Sequence, residues 1–228
     1  MKAMTPLTLR ELQHNELTTA ARLLGSSMCN NPANVRVFCL PDVEQRCRAL
    51  IRFFGPVLHG LYQRGLVLGA FQASRLVGVC GMGRPRFCQP TPIEKLRMAP
   101  FVLLGNRLGT ALRVLRWSAE WARHDPNEPH WHLGPVAVDP TLQGSGIGTA
   151  MLAVFCSLMD NLGAVAYLET DKAQNVRFYQ KFGFTLVAES EVLEVSNWFM
   201  SRPARPRATA QLFQTFASCS SFNNSFLP

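Results

Sequence analysis

Residues 136–149 read VAVDPTLQGSGIGT, and no other stretch restricts the fold as much. Val136, Ala137 and Val138 form a strand-like run. Asp139-Pro140 gives a turn, and an apolar stretch with helical spacing begins at residue 146. Between turn and helix lie Gly144, Gly146 and Gly148. Closely spaced glycines permit backbone conformations closed to other residues and let a ligand approach the main chain. Successive N–H groups then face outward at a helix N-terminus, where the dipole favours an anion such as a phosphate or pyrophosphate.

Three phosphate-binding patterns compete for this segment. A Walker loop requires Gly-Lys-Ser/Thr, but Gly148 is followed by Thr149 and Ala150, so that pattern is excluded. A dinucleotide fingerprint requires G-x-G-x-x-G directly off a first strand. Here the spacing is G-x-G-x-G, residues 139–143 intervene, and the segment lies past mid-chain. The third pattern, Gln/Arg-x-x-Gly-x-Gly/Ala, is met by Gln143, Gly146 and Gly148.

The flanking sequence supplies the rest of a mixed α/β fold. Residues 7–10 start a strand, and residues 11–24 form an amphipathic helix expected to stop at Gly25. Residues 26–40 read as loop around Asn30-Asn31-Pro32. Asp42 is placed to cap a long helix with a break or kink expected at Gly55-Pro56. GLVLGAF (65–71) and RLVGVCGM (75–82) predict a hairpin. Residues 84–128 look like a helical insert, in which Trp117 and Trp121 are expected in the core, with acceptor-site aromatics as the less favoured reading. Its arginines at 107, 113, 116 and 123 are expected on a solvated face. Strand 130–138, helix 146–161, strand 165–170, a short helix capped by Asp171, and a hairpin over 184–191 and 195–201 complete the order. A strand-helix-strand unit inside mixed strands predicts a central sheet with helices on both faces. One domain over residues 5–203 and an appended tail over 204–228 follow.

Composition narrows the function. The net charge of +8 suggests nucleic acid until it is mapped. Residues 84–123 carry +6 and residues 201–228 carry +3, leaving the remainder at −1. A nucleic-acid partner is therefore not expected, since basic residues interleaved with exposed aromatics are lacking. The seven cysteines include no C-x-x-C pair or zinc-type spacing, so no metal is expected. The most apolar run, residues 98–115, is cut by Arg107 and Arg113, and the first residues lack a signal-peptide core. A cytoplasmic protein without membrane contact is expected.

The glycine segment, together with YLETDKAQNVRFYQKFGF (167–184) and the closing strand NWFMSRP (197–203), resembles the Gcn5-related N-acetyltransferase (GNAT) family. The likeness is specific from about residue 130 to 203 and architectural before that. It implies acetyl-CoA as co-substrate, an amine-bearing acceptor, and a splayed strand at the cofactor site, and it leaves a homodimer open. Pyrophosphate would be held by backbone N–H groups of Gln143, Gly144, Ser145, Gly146, Ile147, Gly148 and Thr149. Proline within a strand marks an edge or bulge, so Gly134-Pro135 argues that this strand leaves its neighbour. In the family the pantetheine arm pairs along it, here with Val136 and Val138, like an added strand.

The resemblance further places Asn175 against the cofactor arm and Tyr179 where the family's tyrosine meets the CoA sulfur. Four residues apart on one short helix, the two share a face. For the base, His132 takes the position of the glutamate in the histone-acetyltransferase branch, Glu169 is a second candidate, and a water chain is a third. The rival reading is an acyl-CoA-binding regulatory or interaction protein that has lost turnover.

Overall fold

Apolar runs such as GLVLGAF and RLVGVCGM belong to strands covered on both faces, and both are buried along nearly their whole length. The computed structural model describes residues 6–87 and 108–205. The segment 88–107, part of the predicted insert, and nearly all of the predicted tail lie outside the described residues. The elements are β1 (Leu7–Glu11), α1 (Leu17–Met28), α2 (Pro32–Phe38), α3 (Val43–Arg64), β2 (Gly65–Gln72) and β3 (Arg75–Gly83). They continue with α4 (Leu108–Ala122), β4 (His130–Val138), α5 (Ile147–Leu162), β5 (Val165–Thr170), α6 (Ala173–Gln180), β6 (Thr185–Val192) and β7 (Val195–Arg202). The mixed α/β architecture is as expected.

The strands form one sheet in the order β1-β2-β3-β4-β5-β7-β6. Only β4 and β5 pair in parallel, joined by α5 as crossover; all other neighbours are antiparallel. Each face has its own core. Met151, Leu152, Phe155 and Met159 of α5 pack on one face, against Leu66, Leu68, Trp131 and Leu168. Leu24 of α1, Phe38 of α2 and Leu50, Phe54 and Leu58 of α3 pack on the other, against Val67 and Val79.

Several local expectations are corrected. Helix α1 does not stop at Gly25 but continues to Met28. A Cβ at Gly25 would lie 2.4 Å from Ile51 Cγ1, so this glycine serves the close crossing of α1 and α3 instead of ending a helix. Residues 26–40 are not all loop, since 26–28 end α1 and 32–38 form α2. Pro32, whose ring fixes φ and whose missing N–H is harmless at a first turn, opens α2, and Cys39 closes it in the left-handed region. Asp171 does not cap α6, whose N-cap is Lys172; its carboxylate accepts from Ala33 N (2.8 Å) and so caps α2. The break expected at Gly55-Pro56 does not end α3, which continues to Arg64. Arg113 is not solvated: its Nε donates to the Val37 carbonyl at 2.7 Å and docks α4 on α2.

A buried arginine joins the first three helices. Arg46, 5% exposed, donates from Nε to the carbonyl of Cys29 and from Nη1 to that of Leu40, and from Nη2 to Asn30 Oδ1 at 2.8 Å. Helix-end carbonyls without intrahelical partners are thereby satisfied. Replacing Arg46 by Ala strands the buried Cys29 carbonyl and removes the two part-buried bonds to Leu40 and Asn30, and should cost on the order of 3 kcal/mol in urea unfolding. An unchanged midpoint would show that the helices are held by their apolar faces alone.

Candidate active site

The site begins where β4 leaves β5. Their ladder covers only His130–His132 opposite Val165–Tyr167. On its other side β4 stays with β3, but the register jumps: Cys80 faces Val136 and Met82 faces Leu133. One residue of β3, Gly81, thus spans two of β4, Gly134 and Pro135, which defines a bulge. Glycine is required at 81, because a Cβ there would meet the Gly134 carbonyl oxygen at 2.6 Å. Gly134 itself has φ +155°, and the Gly134-Pro135 peptide is cis. Past this point the β5-facing edge of β4 has no strand beside it among the described residues. Of the two residues predicted along that edge, Val136 lines the cavity described below. The Val138 carbonyl already accepts from Ser27 Oγ of α1 at 3.0 Å.

The glycine loop lies at the surface beyond the end of β4. Gly144 (φ +81°) and Gly146 (φ +89°) occupy the left-handed region, with no heavy atom within 4 Å of where a Cβ would stand. Gln143 through Gly146 are exposed, and no side chain caps the N-terminus of α5 at Gly146. The first backbone N–H groups of a helix have no intrahelical acceptor, so those at Ile147, Gly148 and Thr149 face outward. Ser145 differs, since its N–H already bonds the Leu142 carbonyl at 3.3 Å.

The turn before the loop is held by Asp139, whose Oδ1 accepts from Thr141 N (2.9 Å) and Thr141 Oγ1 (2.6 Å). Arg75 of β3 pairs with its other oxygen. These bonds from Thr141, with Arg75 behind them, hold the Asp139 carboxyl below the ordinary aspartate range.

His132 and Glu169, alternative bases in the sequence, form one unit: Nε2 and Oε2 are 2.9 Å apart. The Glu169 side chain is 2% exposed and the His132 side chain 16%. On α6, Tyr179 is buried between Phe178 and Phe184, and burial pushes its phenol upward. Asn175, one turn earlier, donates from Nδ2 to Thr170 Oγ1 at 3.1 Å. His132, Val136, Glu169, Asn175 and Tyr179 all line a single cavity of about 970 Å³. Val138 and residues 143–149 lie outside that lining, so the predicted residues separate into a surface loop and an interior cavity.

Residues 59–184, more than half of the chain, match the acetyltransferase (GNAT) family. The chain belongs to this family. Its fold is shared with a Corynebacterium glutamicum protein described as histone acetyltransferase HPA2 and related acetyltransferase (TM-score 0.67, 21% identity, 88% of this chain and 98% of that one). It is also similar to a mutant agmatine N-acetyltransferase in apo form (0.58, 16% identity, 86% and 99%). A third similar structure is the Drosophila melanogaster polyamine N-acetyltransferase (0.54, 16% identity, 87% and 100%).

In this GNAT chain Trp117 and Trp121 line the cavity, the less favoured of their two expected positions, with ring centroids 4.6 Å apart at 67°, and Trp117 also packs against the helix-side core. Other features were not revealed by the sequence. Asn34 of α2 is buried and lines the same cavity. Its Nδ2 donates to the Met28 carbonyl at 2.9 Å, while its Oδ1 has no hydrogen-bond partner among the described residues. Behind His132, Asp125, His130 and His132 bring potential ligand atoms within 4.8 Å of one another, and His130 Nδ1 donates to the Glu128 carbonyl at 2.9 Å. No cysteine pattern could have signalled that grouping, because it uses none. No helix among the described residues is long and apolar enough to cross a membrane.

The turn at Asp139 gives a prediction with a defined pH dependence. A depressed folded-state pKa contributes stability above the unfolded value, and that stability is lost as pH falls through the folded value. Asp139→Ala should cost about 1–2 kcal/mol at neutral pH. In paired urea titrations the gap from wild type should close as pH drops below the ordinary aspartate range. A gap that persists at the acid end would show that the carboxylate charge is not what holds the turn.

Proposed function

We propose that this protein transfers an acetyl group from acetyl-CoA to a primary amine, by direct attack within a ternary complex. The catalytic unit is residues 5–203, with 204–228 as an addition. The supporting observation is the cavity that joins the unpaired edge of β4 to Tyr179 and to the His132–Glu169 pair. An outward-facing helix N-terminus suits the pyrophosphate of the co-substrate. The free edge at Val136 suits the amides of its arm, and Asn175 lies beside that path.

Each residue then has a distinct task. The His132–Glu169 pair takes the ammonium proton, so that a neutral amine attacks the thioester; the 2.9 Å contact between Nε2 and Oε2 fixes the ring and lets the two groups share that proton's charge. The C–N bond forms, the C–S bond breaks, and the electron pair leaves on sulfur. Tyr179 donates a hydrogen bond to that sulfur. With its phenol raised above the ordinary value of about 10 and a thiol near 8.5, full proton transfer to the thiolate would be uphill. Tyr179 therefore stabilises charge as a protonated donor, as an oxyanion-hole group does.

Two measurements test this reading. Acetyl-CoA at about 100 times its Kd should add about 2.7 kcal/mol of stability and raise the Tm by several degrees; no shift would remove the co-substrate. Thiol release with an amine panel should fall about 10²-fold in His132→Gln and in Glu169→Gln, and less than additively in the double variant. Tyr179→Phe should lose about tenfold or more in kcat while keeping the Tm shift. A Tm shift with no thiol release from any amine would favour the regulatory acyl-CoA-binding reading.

A further inference from the structure

The cavity is chemically two-sided. Its sheet-side wall, at β5 and the residue after it, supplies the only carboxylates among the described lining residues, Glu169 and Asp171. Glu169 Oε1 and Asn34 Oδ1 are buried acceptors with no hydrogen-bond partner among the described residues. Asn34 stands next to Ala33, whose N–H is bonded by Asp171. Unmatched buried acceptors are costly and are relieved when a ligand brings N–H groups to them. An ammonium at this wall meets that demand.

The helix-side wall, from α3 and α4, has the opposite character. It is built of apolar and aromatic side chains, among them Phe53, Val57, Val114, Trp117 and Trp121, and carries no acid among the described residues. Its charged groups are Arg52 and Arg64. Its neutral polar groups are few, His59, Gln63, Ser118 and the two indoles; Trp117 Nε1 is buried with no hydrogen-bond partner among the described residues. Trp121 is held rigidly, since its Nε1 donates to Oδ1 of Asn197 at 2.9 Å. Asn197 is fully buried and is itself fixed by a 2.8 Å bond from Nδ2 to the Val195 carbonyl. The aromatic corner is thus formed before anything binds, which lowers the ordering cost of binding a ring.

We propose that the acceptor is an arylalkylamine bearing a single cation: its ammonium lies at His132–Glu169 and its aromatic body lies against Trp117 and Trp121. A second cation would leave water to face an apolar wall and two guanidinium groups, with no carboxylate among the described lining residues to receive it. Polyamines, agmatine and lysine-rich peptides are therefore poor acceptors, which separates this cavity from the acceptors named for two of its fold neighbours. Asn197 acts through Trp121 as a positioning residue.

This inference rests on the acetyl-transfer reading, and one experiment separates their failures. Thiol release is measured at saturating acetyl-CoA with phenethylamine, tryptamine, agmatine, spermidine and a lysine-rich peptide. The two arylalkylamines should exceed the others in kcat/KM by about tenfold or more. Trp121→Ala should raise KM for phenethylamine about tenfold, with the acetyl-CoA-induced Tm shift kept as proof of folding. Arg52→Glu should raise relative efficiency on agmatine about fivefold, by exchanging a repulsive charge for an attractive one. Agmatine, spermidine or peptide matching the arylalkylamines would overturn the acceptor class and leave acetyl transfer standing. Release from none of the five, with the Tm shift present, would overturn both.

Discussion

The departure of β4 from β5 after His132 is the constraint on which the site depends. A parallel ladder that continued would satisfy the backbone of Val136 and close the cavity between the strands. It stops because Gly134 and Pro135 stand together against Gly81, and neither a Cβ at 81 nor an N–H at 135 is available. His132 sits at the last paired rung, opposite Tyr167. Two residues further along β5, Glu169 reaches back to it. The same break therefore opens a backbone edge and positions the His132–Glu169 pair, the proposed proton acceptor, beside it.

Around this opening the chain is firmly held. Ser27 of α1 fixes the far end of β4 through the Val138 carbonyl, and Asp139 with Arg75 and Thr141 fixes the turn that follows. The glycine loop then projects at the surface from a secured base, while Tyr179, Asn175 and the His132–Glu169 pair line the interior. In the proposed function these are two separate grips. Backbone dipoles hold phosphate at the surface, and side chains act on the thioester inside the cavity. Such a division needs no lysine at the phosphate site, in keeping with a basic excess that maps to residues 84–123 and 201–228.

The sheet, its hairpins and the glycine loop were legible because they are local. Alternation, apolar runs and turn glycines act over a few residues, and each strand from β1 to β7 lies close to where the pattern put it. The misread elements are those decided by distant contacts. Gly25 looks like a helix stop until Ile51 is seen against it. Asp171 looks like a cap for its own helix, yet it caps α2 at Ala33. Trp117 and Trp121 have helical spacing that suits a core more readily than an acceptor site, and only the docking of α4 on α2 shows them lining a cavity. His132 and Glu169 could be named singly, but their 2.9 Å approach depends on strand register. Asn34 gave no signal at all, in a segment that reads as loop.

The unpaired edge of β4 can be tested directly by amide hydrogen exchange, with and without acetyl-CoA. If the arm of the co-substrate completes this edge, peptides covering 136–138 and 143–149 should slow together by about tenfold or more, while the β2–β3 hairpin is unaffected. Slowing confined to 143–149, with 136–138 exchanging as in the free protein, would contradict the account.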